Sequence, residues 1–571
     1  MKMNKYLVVM RFIRGFPSTM MDDYPLNVHA IIKHAALYYG ENEVVSRDLD
    51  GNVVRLTYRD VYDRVQRMAS MLESELEVGP GDRVGALGVN THRYYELYYS
   101  VSGVGAVFVE MNFRLSPIEI THVANHSKVK VLFIDAPLFA QFKNIIPQFR
   151  HVNKVVVMGK LNEPVKLDGL KVYDYEDLIK SGGKYDFPFI DERSACCACY
   201  TSGTTGMPKG VYYSHRSFTL HAMAIHQVFH MGPSDSLLQL VPLYHVNGWG
   251  MPFAATMIGA KLVFPGMWST NDLKPIIDLM INEGVTWSNG VPSVWISILN
   301  YLRSMNLKPH FNMNVVSGGS EPPVAMMKGL KEFGIEVIHA YGSTETSPIT
   351  HVYVAKPSIL KKLRNEDDYW AHKAKQGLPV FPMERRVISF EGNDVPWDGK
   401  TPGELLERGP WAIREYFNDS RTFESFYGEG LDIWWRSGNA VVVDEDGYMK
   451  IVDRLKDLIK SGGEWISSVD MENYLMAHPA VYEATVVGVP HPKWGERPLA
   501  FVVLKPEYRD KDKETLKKEL LNHLLGRFAK WQLPEIIFVD SIPKTSTGKF
   551  DKKVLREQYK NYFSQELNEV N

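Results

Sequence analysis

The sequence has few cysteines, no long apolar run and almost no net charge. Its 571 residues include three cysteines, and the formal net charge is −2. No uninterrupted apolar stretch reaches the roughly 18 residues that a membrane-spanning helix needs, so we expect no transmembrane segment. The chain has no strongly basic block, which argues against a nucleic-acid-binding protein. Its length and composition are typical of a globular protein with two or more domains.

The three cysteines, Cys196, Cys197 and Cys199, lie close together in the chain. A C-x-x-C spacing can indicate a zinc or redox site, but no second cysteine pair and no nearby histidine complete one. The apolar neighbours favour a buried strand, in which thiols act as small hydrophobic side chains. Because no disulfide framework is present, we expect a cytoplasmic protein.

The first 21 residues are interpreted as an N-terminal extension. They carry basic residues around a short apolar patch at residues 6–10. That patch is shorter than the apolar region of a secretory signal, which needs roughly 7 or more residues. The pattern favours an upstream start codon, with the first domain beginning near residue 22.

A segment rich in glycine and hydroxyl groups, residues 200–210, has the sequence YTSGTTGMPKG. Glycines bring backbone N–H groups close to an anion, and Lys209 adds a charge suited to phosphate. The Walker A pattern does not fit, because Lys209 is followed by glycine instead of serine or threonine. The segment therefore predicts a phosphate-binding loop from another class of nucleotide enzyme.

Short β-branched runs alternate with helical patterns through the first three quarters of the chain. The runs predict strands at residues 155–158, 237–241, 261–264, 314–316 and 336–339. Ser214 is a typical N-cap, and apolar residues follow it at the spacing of a buried helix face: Phe218, Ala222, Ile225 and Phe229. Such alternation favours an α/β fold with largely parallel sheets.

Ligands in α/β folds collect beyond the carboxyl ends of the strands. Four polar or glycine-rich loops follow predicted strands in this sense, at residues 201–210, 244–249, 318–323 and 341–348. We expect these four loops to share one pocket.

The composition changes near residue 453, where charged residues are followed by two glycines. Beyond this point the pattern predicts helices at 468–477 and 511–528 and strands at 483–489 and 499–504, which is a small α+β unit. We therefore predict a large domain over residues 22–452, a hinge over 453–460 and a small mobile domain over 461–571.

Five segments together resemble the adenylate-forming superfamily, which includes acyl-CoA synthetases, luciferases and peptide-synthetase adenylation domains. They are residues 200–210, 341–346 (YGSTET), 447–448 (GY), 453–457 (DRLKD) and 543–549 (PKTSTGK). The stretches 457–468 and 491–497 are most similar to medium- and long-chain fatty-acid CoA ligases. The resemblance implies a large N-terminal α/β body of several subdomains and a small mobile α+β C-terminal domain.

The same resemblance implies an AMP-forming acid–thiol ligase. Members of the family join a carboxylate to the α-phosphate of ATP, giving acyl-AMP and pyrophosphate, and coenzyme A then displaces AMP. The substrates supply both nucleophiles, and the sequence indeed contains no G-x-S-x-G elbow. We expect ATP, coenzyme A, Mg²⁺ and a medium- or long-chain fatty acid as small-molecule partners, and close resemblance suggests a homodimer.

Three alternatives remain open. In the first, the enzyme carries out the same chemistry on a short, hydroxylated or aromatic acid. In the second, it transfers the acyl group to an acceptor other than coenzyme A. The third is a binder of nucleotide or fatty acid without catalysis.

The resemblance assigns site residues position by position. The catalytic residues are Lys549, Glu345, Thr344 and His245. The phosphate-binding residues are Thr201, Ser202, Gly203, Thr204, Thr205, Gly206 and Lys209. The AMP-binding residues are Gly319, Ser320, Glu321, Ala340, Tyr341, Gly342, Ser343, Asn439 and Arg454. The remaining assignments are Glu345 and Thr201 to magnesium, Asp453 and Lys456 to the hinge, Ser461, Gly462, Gly463 and Glu464 to a coenzyme A loop, and Trp249 and Gly318 to the acyl pocket.

Two of these assignments have ordinary alternatives. His245 is near the acyl carboxylate in the family, but a core histidine satisfied by hydrogen bonds fits its pattern equally well. Trp249 is predicted to form an acyl-tunnel wall or gate, whereas aromatic core packing is the simpler interpretation.

One position departs from the family pattern. Residues 436–439 are R-S-G-N where relatives have R-T-G-D, so Asn439 replaces an aspartate that accepts hydrogen bonds from the ribose hydroxyls. Hydrogen bonds to charged groups contribute about 1.5–3 kcal/mol, so we expect ATP to bind more weakly by about tenfold or more. Because Glu345, Arg454 and Lys549 are all present, we still expect an active enzyme.

Overall fold

The computed structural model describes residues 13, 15–160, 167, 169–201, 207–305, 309–389, 391–462, 464–545 and 549–563. Its strands form four sheets, and its helices cover the faces of those sheets. The α-helices in this part of the chain are His29–Tyr38, Tyr58–Ser74, His92–Gly103, Pro117–His126, Ala136–Phe142, Tyr175–Ser181, His215–Phe229, Met251–Met257, Lys274–Asn282, Pro292–Ser304, Val324–Lys331, Pro357–Leu360, Glu366–Lys373, Ser468–Met476, Lys513–Leu524 and Lys552–Tyr559.

The first sheet has seven strands, of which all but the last pair run parallel. In spatial order they are Lys171–Asp174, Lys154–Met158, Val131–Asp135, Arg83–Leu87, Val107–Glu110, Ala195–Thr201 and Lys209–Ser214. The last two strands form an antiparallel hairpin, which carries the loop between Thr201 and Lys209.

The second sheet has nine strands with a parallel centre and antiparallel edges. In spatial order they are Leu378–Pro379, Ile349–Val352, Ile335–Gly342, Met313–Ser317, Trp287–Gly290, Ser236–Leu238, Lys261–Phe264, Glu43–Arg47 and Val53–Thr57. The helix His92–Gly103 contacts strands of both large sheets and is buried along its whole length. The main hydrophobic core therefore lies between these sheets.

Two five-stranded sheets complete the fold. One contains Glu384–Ile388, Gly403–Arg408, Phe426–Tyr427, Trp434–Val443 and Met449–Arg454. The other contains Ile459–Ser461, Glu464–Ile466, Val481–His491, Gly495–Leu504 and Glu535–Phe538. We call these the third and the fourth sheet. Along the chain, residues 455–458 lie between the last strand of the third sheet and the first strand of the fourth, at the position where the sequence predicts a hinge.

The predicted elements agree well with the structure in the core. Ser214 caps the helix His215–Phe229, because its side chain accepts a hydrogen bond from the Ser217 N–H. The four apolar residues on the predicted face of that helix are buried. All three cysteines are free and buried on the strand Ala195–Thr201, which confirms the interpretation of a buried strand.

One predicted strand, 237–241, is too long at its C-terminal end. The structure ends this strand at Leu238. The backbone N–H groups of Leu240 and Val241 donate to Asn289 Oδ1, at 3.1 and 2.9 Å, instead of to a neighbouring strand. A side chain thus satisfies the backbone and turns the chain towards the loop that carries His245.

No helix within the described residues is long and apolar enough to cross a membrane.

Candidate active site

The strands Ala195–Thr201 and Lys209–Ser214 form the hairpin that holds the two ends of the predicted phosphate loop. Thr201 and Lys209 are register partners, and the Lys209 N–H donates to Thr201 Oγ1 at 3.4 Å. Both ends of the loop are therefore fixed. The rest of the predicted loop, Ser202, Gly203, Thr204, Thr205 and Gly206, lies outside the described residues.

The predicted magnesium ligand, Glu345, lies on the short 3₁₀ turn Thr344–Thr346, which follows the strand Ile335–Gly342. Its Oε1 accepts a hydrogen bond from the Tyr416 hydroxyl at 2.7 Å. No donor among the described residues reaches its other carboxylate oxygen. Mg²⁺ prefers oxygen ligands, so the carboxylate of Glu345 and the hydroxyl of Thr201 are donors whose chemistry fits this ion.

Residues beside Glu345 are held tightly. The Thr344 carbonyl accepts a hydrogen bond from Tyr213 at 2.6 Å, and the Ser343 N–H donates to Thr346 Oγ1 at 3.0 Å. Gly342 has no space for a side chain, because a Cβ there would lie 1.6 Å from the Pro348 carbonyl oxygen. The turn that presents Glu345 is therefore rigid.

Lys549 reaches this pocket from the C-terminal part of the chain. Its Cε lies 3.1 Å, and its Nζ 3.8 Å, from the place that a Cβ on Gly319 would occupy. Burial, together with the nearby Arg454 charge, lowers the pKa of the ammonium to about 8, and the Glu345 charge opposes this shift. The lysine is thus within electrostatic range of Arg454, which is predicted to bind AMP, and of Glu345, the predicted magnesium ligand.

Asn439 and Arg454 are register partners on neighbouring strands. The Asn439 amide nitrogen donates to the Tyr341 hydroxyl at 2.7 Å and to the Ser437 carbonyl at 3.4 Å. Both donor positions of the amide are therefore in use, and its oxygen is the atom left to accept a hydrogen bond from a ligand.

The loop that carries His245 and Trp249 has an unusual backbone. Val246, Asn247 and Trp249 have φ values of 44°, 47° and 63°, in the left-handed region that non-glycine residues rarely adopt. Burial, with the nearby Lys549 charge, lowers the pKa of His245 to about 3, so its imidazole is neutral at pH 7. No hydrogen bond within the described residues satisfies the ring, so its nitrogens are available to solvent or to a ligand.

Trp249 and Gly318 lie next to each other. A Cβ on Gly318 would lie 3.5 Å from Trp249 Cη2 and 2.6 Å from the carbonyl oxygen of Ala340. The absence of a side chain at Gly318 therefore lets the indole and the strand of Ala340 approach. Trp249 itself is buried in the main core.

Glu110 is a buried residue that hydrogen-bonds the loop carrying His245 and Trp249, and no sequence pattern predicted this contact. Its Oε2 accepts hydrogen bonds from the Cys199 thiol at 2.8 Å and from the Asn247 N–H at 3.2 Å. Burial raises the pKa of Glu110 to about 8.

Glu321 faces the C-terminal part of the chain, whereas Ser320 beside it is exposed. The Glu321 carboxylate accepts a hydrogen bond from Asn473 Nδ2 at 2.8 Å. Close by, Lys450 and Asp470 form an ion pair of 2.6 Å between the third sheet and the helix Ser468–Met476. The AMP-binding role of Glu321 stays a prediction, and the structure gives its side chain a bridging contact.

The predicted hinge residue Asp453 is buried and links two elements. Its Oδ2 accepts hydrogen bonds from the N–H and the hydroxyl of Ser468, at 2.9 and 2.5 Å, at the start of the C-terminal helix Ser468–Met476. The other predicted hinge residue, Lys456, is exposed in the connection that follows.

The predicted coenzyme A loop lies on a hairpin of the fourth sheet. Ser461 is buried and accepts a hydrogen bond from Arg497 at 3.3 Å, and the Gly462 N–H donates to the Trp494 carbonyl at 2.8 Å. Gly462 has a φ of 62°, which favours glycine. Gly463 and the Glu464 side chain lie outside the described residues.

Comparison with known proteins identifies the family. The model for the AMP-binding enzyme matches residues 32–417, and the model for the AMP-binding enzyme C-terminal domain matches residues 470–549. The chain belongs to the AMP-binding enzyme family. The resemblance to adenylate-forming enzymes is therefore confirmed.

Two relatives match over nearly their whole lengths. A long-chain-fatty-acid–CoA ligase from Thermus thermophilus is 44% identical over 556 residues, which cover 96% of this chain and 98% of the relative. A 3-methylmercaptopropionyl-CoA ligase from Ruegeria lacuscaerulensis is 40% identical over 551 residues, which cover 94% of this chain and 98% of the relative.

A solved structure confirms the fold. The crystal structure of the anthranilate CoA ligase AuaEII in complex with anthranoyl-AMP superposes with a TM-score of 0.82 at 24% identity. The match covers 95% of this chain and 99% of that protein. The α/β fold, with a large N-terminal body and a C-terminal domain, is therefore confirmed, while the exact domain boundaries stay predictions.

Proposed function

We propose that this enzyme uses ATP to activate a medium- or long-chain fatty acid as acyl-AMP, and then transfers the acyl group to coenzyme A. The name of the Thermus thermophilus relative, at 44% identity, supports a long-chain acid and coenzyme A as substrates. The observation that carries the proposal is the position of Lys549 beside Gly319, within electrostatic range of Glu345 and Arg454. A lysine from the C-terminal part thus lies beside Gly319, a residue that the resemblance assigns to AMP binding.

In the first step, a carboxylate oxygen of the fatty acid attacks the α-phosphorus of ATP. The bond from that phosphorus to the bridging oxygen of the β-phosphate breaks, and pyrophosphate leaves with the electron pair. Lys549 would stabilise the charge that develops on the α-phosphate, and Lys209 would hold the leaving pyrophosphate. Asn439 and Arg454 would fix the ribose, so that the reacting atoms meet in line.

Magnesium would be held by Glu345 and Thr201, because a carboxylate next to a polyphosphate needs a cation between them. When bound, this ion supplies charge neutralisation at the phosphate oxygens. Thr344 would contact the α-phosphate from the rigid turn that also presents Glu345.

In the second step, the thiol of coenzyme A loses its proton to solvent and its sulfur attacks the acyl carbonyl carbon. The bond from that carbon to the phosphate oxygen breaks, and AMP leaves with the electron pair. The loop at residues 461–464 would approach the pocket after rotation about Asp453 and Lys456. Gly462, with its positive φ, would let the loop backbone lie close to the pantetheine arm.

An apolar acyl chain fits the side chains next to the site. Val291 Cγ1 lies 3.2 Å from the place of a Cβ on Gly319, and Trp249 lies against Gly318. His245 lies in the same loop as Trp249, and its neutral imidazole would hydrogen-bond the acyl carboxyl group. Gly318 would let the Trp249 indole pack close to the strand of Ala340, so that the indole forms a wall of the acyl pocket.

A short acid is the second candidate, since the relative at 40% identity is named for the 3-methylmercaptopropionyl group. The test is AMP formation with a series of acids from butyrate to stearate, together with 3-methylmercaptopropionate. We expect kcat/KM to rise with chain length, since each buried methylene contributes about 0.8 kcal/mol. A maximum at butyrate or at 3-methylmercaptopropionate would contradict the fatty-acid proposal.

The acceptor is tested in the same assay by omitting coenzyme A. We expect acyl-AMP alone without it and an acyl thioester with it, whereas acyl-AMP that persists in its presence would indicate another acceptor. The homodimer and the cytoplasmic location remain predictions, and size-exclusion chromatography with light scattering tests the first.

A further inference from the structure

One segment, residues 411–421, joins the two loops that carry the predicted phosphate and magnesium residues. The Ile413 N–H donates to the Glu345 carbonyl at 2.7 Å, and the Phe417 N–H donates to the Gly210 carbonyl at 2.9 Å. The segment is therefore bonded through its backbone to the Glu345 turn on one side and to the Lys209 strand on the other.

Side chains at both ends of the segment repeat this pattern. Trp411 Nε1 donates to the Ile349 carbonyl at 3.2 Å, just beyond the Glu345 turn. Arg421 Nη2 donates to the Met207 carbonyl at 3.1 Å, just before Lys209. These four hydrogen bonds fix the separation between the two loops, and Tyr416 lies between their attachment points.

The Tyr416 side chain contacts both functional charges and is itself buried. Its hydroxyl donates to Glu345 Oε1 at 2.7 Å. Lys209 Nζ lies over the face of its ring, 3.7 Å from the centroid. The hydroxyl thus bonds the carboxylate, while the ring binds the ammonium through a cation–π contact.

We propose that Tyr416 is a positioning residue that keeps Lys209 and Glu345 from pairing with each other. This inference rests on the proposed function, in which Lys209 binds phosphate and Glu345 binds magnesium. The carboxylate and the ammonium contact the same tyrosine side chain and attract each other, and a direct ion pair would withdraw both from ATP and its cation. The tyrosine gives each charge its own uncharged partner, so that both charges remain available to the ligand.

Two variants separate the two contacts. Tyr416→Phe keeps the ring beneath Lys209 and removes the hydrogen bond to Glu345. Tyr416→Leu removes both contacts and the barrier between the charges. The matched control is Tyr427→Phe, because Tyr427 also has a cation over its ring, Arg386 at 5.5 Å, and a hydroxyl bonded to a carbonyl, that of Gly392 at 3.5 Å.

The readout is calorimetric binding of α,β-methylene-ATP, which the adenylation step cannot cleave, with and without Mg²⁺. For Tyr416→Phe we expect an unchanged affinity for the nucleotide without Mg²⁺. The factor by which Mg²⁺ raises that affinity is expected to fall about tenfold, because the hydrogen bond that orients the Glu345 carboxylate is lost. For Tyr416→Leu we expect weaker binding under both conditions. Tyr427→Phe is expected to match the wild type under both.

Equal Mg²⁺ enhancement in wild type and Tyr416→Phe would overturn the inference, and so would unchanged Mg²⁺-free binding in Tyr416→Leu. Urea unfolding of each variant identifies a loss of folding, and for a variant that does not fold, Tyr416→Met replaces Tyr416→Leu. The proposed function fails separately, when the wild type forms no acyl-AMP from any acid. If the wild type forms acyl-AMP and Tyr416→Phe keeps the full Mg²⁺ enhancement of nucleotide binding, the inference is wrong and the proposed function stands.

Discussion

Replacing Asn439 by aspartate tests how this chain binds the nucleotide. In the structure the Asn439 amide nitrogen donates to the Tyr341 hydroxyl at 2.7 Å. An aspartate has the same shape and would accept a hydrogen bond from that hydroxyl instead, and it loses only the longer bond of the amide to the Ser437 carbonyl, at 3.4 Å. The change then offers the ribose a charged acceptor where a neutral amide oxygen now stands.

The expected gain follows from ordinary hydrogen-bond strengths. A neutral hydrogen bond contributes about 0.5–1.5 kcal/mol and one to a charged group about 1.5–3 kcal/mol, so the difference is about 1–1.5 kcal/mol. Since 1.4 kcal/mol corresponds to a factor of ten, the KM for ATP is expected to fall about tenfold in Asn439→Asp.

The assay is acid-dependent pyrophosphate release at saturating fatty acid and varied ATP. Tyr341→Phe, made in both backgrounds, serves as the control, because it removes the hydroxyl that orients residue 439. We expect the gain to shrink when that hydroxyl is absent. An unchanged or higher KM for ATP in Asn439→Asp would refute the reasoning.

Two further predictions concern other residues of the site. Gly319→Ala places a Cβ 3.1 Å from Lys549 Cε, at a position where the backbone φ is 84°. We expect acyl-AMP formation to slow on the order of 100-fold, as when a transition-state donor is lost. An unaffected rate would contradict the position of Lys549. Burial raises the pKa of Glu110 to about 8 in the folded state, so the folded state binds this proton more tightly than the unfolded state. The free energy of unfolding therefore falls as the pH rises from about 5 to 8, by at most about 1.4 kcal/mol per pH unit. Glu110→Gln is expected to flatten this dependence in urea unfolding at pH 6 and pH 9, and equal slopes for variant and wild type would count against it.

The sequence predicts those parts of the fold that local patterns determine. The helix that begins after Ser214 and the buried strand with Cys197 follow from an N-cap and an apolar run, and both are confirmed. The strand at 237–241 was predicted too long because its end is set by Asn289, a residue about 50 positions away. Local patterns contain no information on such distant side chains.

The candidate site shows the same division. Motif resemblance identified Lys209, Glu345 and Lys549, since each lies in a recognisable segment. Tyr416 lies in no such segment, and its importance arises only from contacts with two loops that are distant in sequence. Glu110 was missed for a related reason, because an acidic residue at the end of an apolar run gives no sign of being buried.

The central claim is that Lys549 serves the formation of acyl-AMP. The most direct measurement compares the two half-reactions of Lys549→Ala with those of the wild type. The account predicts that acid-dependent pyrophosphate release falls roughly 100- to 1000-fold, because a donor to the transition state is lost. It also predicts that supplied acyl-AMP still reacts with coenzyme A at nearly the wild-type rate. Pyrophosphate release at the wild-type rate in Lys549→Ala would contradict the account.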